Sequence, residues 1–178
     1  AGGRENFTKM LDKFFGFGEN SVTQANEFND WDKLAELSPH RFEGFNNETD
    51  METPYFLHDI GRRDLLSQVI TSGMDSMFTT GKGGIPGNAD CGGLTSCYLW
   101  NVLGIFPISG QDRMIVGVPR YERSIMHMPA GDFEIIREGT GIYTKSASFN
   151  GKELRNFELP ASEMIKGGTL RIVMAEKP

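Results

Sequence analysis

Apolar side chains recur along the first half of this chain with the period of a helix, and along the last third in short runs divided by turn residues. Phe7, Met10, Leu11, Phe14 and Phe15 fall at i, i+3, i+4, i+7 and i+8, which predicts an amphipathic helix over Arg4 to Phe15, ended by Gly16-Phe17-Gly18. Glu19 to Gly44 is polar and weakly periodic, a long loop that carries Phe28, Trp31 and Phe42 and runs up to Phe45. A helix is expected from Thr53 through Tyr55, Phe56 and Ile60 to a break at Gly61. The next, over Arg62 to Thr80, sets Leu65, Leu66, Val69, Ile70, Met74, Met77 and Phe78 on one side. Leu94 to Leu103 is apolar nearly all round, as a helix buried between layers would be, and Gly104 stops it.

The remaining third reads as strands: 113–118, 124–128, 132–136, 143–149, 152–157 and 169–174. Pro, Gly and Asn-Gly signals separate them, and Asn150-Gly151 is the strongest hairpin mark. Helices followed by strands predict an α+β chain with a helical part over residues 1–106 and an antiparallel sheet or sandwich layer over 107–178, joined near Pro107 to Gly110.

Two stretches carry candidate chemistry. Gly81 to Gly93 packs six glycines, Pro86 and the Asp90 carboxylate between two helical patterns, so that a backbone of little bulk presents Asn88 and Asp90 at the mouth of a helix pair. A phosphate cradle is excluded there, because Lys82 is followed by Gly83 and preceded by a helix rather than a strand. Phe45 to Tyr55 crowds Asn46, Asn47, Glu48, Asp50 and Glu52 ahead of an apolar segment. Oxygen-rich side chains at that spacing suit a hard cation such as calcium. They equally suit helix capping, with Asn47 or Thr49 as the cap and the acidic residues at the positive end of the dipole.

Composition narrows the partners. A net charge of −6 without a Lys/Arg cluster argues against nucleic acid or an anionic membrane surface. No apolar run approaches a membrane span. Cys91 and Cys97 alone make neither a disulfide framework nor a zinc ribbon. The opening at Ala1, in what reads as mid-element, is expected to be a cut rather than a natural beginning.

With these motifs in order, the sequence resembles the C-terminal region of glycoside hydrolase family 92, the calcium-dependent, inverting exo-α-mannosidases. Gly44-Phe45-Asn46-Asn47-Glu48 with Asp50 is similar to the family's G-N-E-P-[SD] segment, and Gly84 to Gly92 to its G-L-x-G-[ND]-[DE]-D-x-G loop. Ser96 to Pro107 resembles its S-A-W-Y-V-F-x-A-L-G-F-Y-P helix, and Asn150-Gly151-Lys152 and Gly167-Gly168-Thr169-Leu170 its closing strands. The resemblance implies an (α/α)6 barrel of which this chain supplies the last helices, followed by those strands. It also implies a terminal α-linked mannose as substrate, α-1,2-linked for choice, and a Ca2+ cofactor.

Carried over by position, Asp90 stands on the general-base side with Asn88 beside it, Glu48, Asp50 and Glu52 face the sugar, and Asn47 and Glu48 belong to the calcium surroundings. Ala89 and Thr49 depart from the family pattern. Inverting hydrolysis needs one carboxylate to activate water and one carboxylic acid to protonate the leaving oxygen. The family's general acid lies upstream of the segment matched by Arg4 to Phe15, so an upstream part of the same enzyme or a complementary chain is the expected partner, with the α-mannoside glycan. A rival from another class is a non-catalytic carbohydrate-binding or structural module, using Trp31, Phe45 and the strands for sugar contact and Asp90 merely as a cap.

Overall fold

Four-residue steps of Phe7, Leu11 and Phe15 give the first helix its inward face. In the computed structural model, which describes residues 2–15, 45, 47, 48 and 50–178, this helix is α1 (Arg4–Phe14). Leu11 and Phe15 are buried, while Met10, expected on the same stripe, lies one helical step aside and is 58% exposed. Trp31, Phe28 and Phe42 lie outside the described residues. The chain divides into two units, Ala1–Tyr98 and Leu99–Pro178.

In the first unit the acidic segment winds through successive turns, with Asp50 N–H on Asn47 O at 3.0 Å, Thr53 N–H on Asp50 O at 2.9 Å and Tyr55 N–H on Glu52 O at 2.9 Å. The expected helix after Thr53 is a 3-10 turn, Thr53–Tyr55, running into the single turn α2 (Phe56–Asp59). Pro54, which has no N–H to give an α-helical ladder, sits in its first turn. Buried Pro54 and Tyr55 pin the segment to the body.

Helix α3 (Arg63–Ser76) buries Leu65, Leu66, Val69, Ile70 and Met74 as its period predicts. It ends before the expected Thr80, because Thr79 N–H pairs instead with Gly84 O at 2.8 Å and draws the chain into the glycine loop. On its inward side Gly73 faces Phe45, whose ring would lie 2.3 Å from any Cβ there. Phe45 is fully buried, with an edge-to-face contact to Phe78 at 6.4 Å between centroids. The rival reading of Phe45 as a sugar-stacking surface is thereby overturned.

Helix α4 (Gly93–Leu103) forms where expected but is not buried all round. Leu94, Cys97 and Asn101 make a buried face, whereas Thr95, Ser96 and Leu99 are open, Leu99 by 53%. Apolar composition permits burial on every side, but a side is buried only where another element lies against it.

The second unit holds two sheets. β1 (Ile105–Pro107), β2 (Met114–Val116) and β7 (Glu158–Leu159) make a three-stranded antiparallel sheet. The larger sheet has the order β3-β4-β8-β5-β6, from β3 (Arg123–Met128), β4 (Gly131–Glu138), β5 (Tyr143–Phe149), β6 (Lys152–Glu153) and β8 (Gly168–Ala175). Its pairs are antiparallel except β4 with β8, which run parallel. Period-two alternation sets Phe133, Ile135, Ala147, Leu170 and Ile172 inward. The opposite face carries ion pairs, Arg123 to Glu134 at 2.6 Å and Arg171 to Glu138 at 2.7 Å.

Asn150 and Gly151, both with positive φ (48° and 79°), close the β5–β6 hairpin as their identities predict. The strand expected over 152–157 stops at Glu153, since Phe157 N–H returns to Leu154 O at 2.9 Å in a turn. Strands β1 and β7 and the one-turn helix α5 (Ala161–Met164) are additions to the expected pattern. Thr144 Oγ1 donates to Gly117 O at 2.7 Å and ties the larger sheet to the chain beyond β2. Among the described residues no helix is long and apolar enough to cross a membrane.

Gly104 ends α4 with φ +79°, and a Cβ there would meet Pro119 N at 2.5 Å. Gly110 has a similar φ of +72° in open space. Gly110→Ala is expected to cost about 1 kcal/mol through the left-handed backbone, and Gly104→Ala about 1–3 kcal/mol more through overpacking. Urea denaturation checks this, and equal losses at the two positions would refute the close packing at Pro119.

At the start of α3 the Arg62 guanidinium grips Asp64 through Nε at 3.0 Å and a terminal nitrogen at 2.9 Å. That hydrogen bond, foremost, holds the Asp64 carboxyl below the usual carboxylate range against the opposing effect of burial. A depressed folded pKa stabilises the protein above the unfolded value, near 3.9, and the contribution fades as pH falls through the folded value. Because both groups are partly exposed, Asp64→Asn is expected to lower stability at pH 7 by no more than about 1 kcal/mol. Melting of the two proteins should converge as pH falls below the unfolded value and through the depressed folded one.

Candidate active site

Asp90 opens a 3-10 turn, Asp90–Gly92, that leads directly into α4. Cys91 at φ +51° and Gly92 at φ +80° both take the left-handed region, so the chain changes hand before the helix begins at Gly93. Upstream, the glycine loop is anchored by buried Gly84 and Pro86, and Gly84 N–H closes on Gly81 O at 3.2 Å. Beyond that anchor Asn88, Ala89 and Asp90 are exposed.

The acidic segment meets this loop through Glu48, with Met51 close by. Glu48 Oε1 accepts the backbone N–H of Asp90 at 3.1 Å, across 42 residues of sequence. An N–H at a helix start has no partner within its own helix, and a carboxylate is the acceptor that the positive end of the dipole favours. The approach is close because position 93 has no side chain: a Cβ on Gly93 would sit 3.0 Å from Glu48 Oε1 and 3.1 Å from Met51 Cε. Gly93 and Met51 fall within the two candidate stretches, but the sequence assigns neither a role, since that role depends on a contact between distant segments.

Asn47 and Glu48 are exposed, whereas Asp50 and Glu52 are half-buried and already have partners. Asn88 makes no hydrogen bond with any of these residues among the described ones. Thr49 lies outside the described residues. Asn47 is not the cap of the turn at Thr53, since the cap position is Glu52 and no side chain bonds there. Across the fold, Glu48 caps the turn that opens at Asp90.

The donors present at the segment are a carboxamide and a carboxylate, both oxygen ligands open to solvent, and this chemistry fits a hard cation. No group of three carboxylate, imidazole or thiolate donors gathers around Glu48 among the described residues. A cation held at Asn47 and Glu48 would therefore draw further on carbonyl and water oxygens, as calcium does.

Beneath the segment, Tyr55 is fully buried, and its phenol is pushed well above its ordinary value, first by burial and then by nearby Cys97, with Arg63 opposing. Tyr55 remains neutral and serves as an apolar anchor. His58 Nδ1 lies 2.8 Å from the Arg63 guanidinium, a packing role rather than a free imidazole.

The chain matches the glycosyl hydrolase family 92 catalytic domain over residues 1–176. It belongs to that family. An uncharacterized secreted glycosidase of Arthroderma benhamiae is 27% identical over 138 residues, 74% of this chain and 18% of that protein. A family 92 α-mannosidase from Bacteroides thetaiotaomicron, in complex with mannoimidazole, superposes with a TM-score of 0.80 at 22% identity, covering 99% of this chain and 23% of its own. A family 92 inverting mannosidase of the same organism gives a TM-score of 0.77 at 22% identity, covering 99% of this chain and 25% of its own. At these identities the structural likeness is one of fold, and it supports the α+β reading. The chain spans about a fifth to a quarter of the length of these family 92 relatives.

Glu48→Ala should release the Asp90 amide and speed its hydrogen exchange about five- to tenfold, the loss of roughly 1 kcal/mol of hydrogen bond to a charged acceptor. Glu48→Gln, which keeps a carbonyl oxygen at the same reach, should leave most of the protection. Equal exchange in the parent and Glu48→Ala would refute the capping contact.

Proposed function

We propose that this chain carries the base side of the active site of a family 92 enzyme that cleaves terminal α-linked mannose, for choice α-1,2-linked, with inversion and with calcium assistance. The observation that carries the reading is the Glu48 to Asp90 hydrogen bond, which joins the acidic segment and the glycine loop at one exposed place. The mannoimidazole complex and the inverting mannosidase among the relatives support the substrate class and the stereochemistry.

In this mechanism Asp90 accepts the proton of a water that attacks the anomeric carbon from the face opposite the leaving group. Asn88, two residues before Asp90 in the loop, orients that water or the sugar by its carboxamide. Glu48 holds the Asp90 backbone in place, and Asn47 with Glu48 would hold the cation, with Asp50 and Glu52 around the sugar. Calcium, when bound there, supplies a positive charge that grips vicinal ring hydroxyls and favours a flattened ring. The proton for the leaving oxygen comes from a general acid in the upstream part of the enzyme or a complementary chain.

Release of mannose from α-1,2-linked mannobiose tests the reading, with calcium and again with a chelator. The chain alone should release none. Within the whole enzyme, Asp90→Asn should lower kcat about 10²–10⁴-fold, the usual contribution of a positioned base. Chelator-sensitive release by these 178 residues alone would overturn the missing acid and make Glu48, Glu52 and Asp59 the residues to replace.

A further inference from the structure

The second unit contains a groove of about 730 Å3 that takes no part in the site described above. Its charged lining comes from Asp112, Arg113, Lys152, Glu153, Arg155 and Glu158. The formal charges are three positive and three negative, so the groove is dense in donors and acceptors yet neutral overall. Four of the six charges are matched internally in two pairs, Arg113 to Glu158 at 2.6 Å and, more loosely, Arg155 to Glu153 at 3.5 Å. Asp112 is committed to the start of α5, where it takes Ser162 N–H at 2.7 Å and Ser162 Oγ–H at 2.6 Å.

The walls are held by backbone. Val116 N–H donates to Phe157 O at 2.9 Å and Leu154 N–H to Ala147 O at 2.9 Å, so the 154–157 turn is tied to both sheets. Phe157 takes φ +54°, a conformation that usually falls to glycine, at the end of this turn. The turn presents Arg155 and Asn156 outward at its corner, and neither Lys152 nor Asn156 has a side-chain partner among the described residues. Leu159 and Pro160 add carbon to the lining.

An anion would need a net positive lining, and a cation a net negative one. A ligand rich in hydroxyls, each both donor and acceptor, suits paired guanidinium, ammonium, carboxylate and carboxamide groups that sum to zero. The volume is that of a small-ligand site. We propose that this groove is a second carbohydrate-binding site, taking a neutral hexose unit of a glycan through Lys152, Arg155, Asn156 and the Arg113–Glu158 pair. It rests on the proposed function in that the glycan is taken to be an oligomannoside. It is separate from Asp90 chemistry and needs no general acid.

The experiment is a titration of the 178-residue chain with α-1,2-linked mannobiose, followed by amide chemical shifts. Saturable shifts at Lys152, Arg155 and Asn156 are expected, with Arg155→Ala and Asn156→Ala together weakening binding about tenfold, as the loss of one or two hydrogen bonds implies. Both side chains are exposed, and unchanged melting of the double variant, or of Lys152→Gln in its place, keeps folding out of the result. Asp90→Asn should leave these shifts untouched, so binding here and mannose release fail independently. Absence of groove shifts would overturn the proposal. So would saturation of the same amides by inorganic phosphate at lower concentration than by mannobiose, which would mark an anion site.

Discussion

A charge-assisted hydrogen bond, from Asp90 N–H to Glu48 Oε1, joins the two segments on which the candidate chemistry depends. The bond exists because a helix start leaves its first N–H groups unpaired and because Gly93 lets a carboxylate approach the helix end. Each segment also has its own anchor. Pro54 and Tyr55 bury the end of the acidic segment, and Gly84 and Pro86 bury the root of the loop. The candidate groups Asn47, Glu48, Asn88 and Asp90 are therefore exposed on segments whose ends are buried, the arrangement a positioned base would use.

The same logic separates support from chemistry elsewhere in the first unit. Tyr55 and Phe45 are packing: both rings are buried, and Phe45 is set against Gly73, a position without a side chain. The Arg62–Asp64 pair steadies the first turn of α3, where an acidic residue also complements the dipole. In the second unit, short strands do comparable work. Edge turns project polar side chains while ladder bonds hold their backbones, and the neutral groove is a product of that division.

Much of this was legible in the chain itself. The helical period located α1, α3 and α4, and Asn150-Gly151 located its hairpin, because amphipathic spacing and positive-φ turn residues are local properties. The glycine loop and the oxygen-rich segment were both visible as unusual compositions. Their resemblance to family 92 motifs agreed with the match along residues 1–176. Boundaries were less legible. The strand over 152–157 broke at a turn held by Leu154 O, and α3 stopped short because Thr79 found Gly84, contacts that no local pattern records.

By itself, then, the sequence determined most of the element types and the family, and it named candidate residues for the chemistry, since these follow from periodicity, turn propensity and side-chain identity. Tertiary structure decided which sides of α4 are buried and that β8 lies parallel to β4 between two hairpins. It also decided that Glu48 caps Asp90 rather than its own segment and that Phe45 is core rather than surface. Each of these is a contact between residues far apart in the chain, and its energy depends on shape and distance in space.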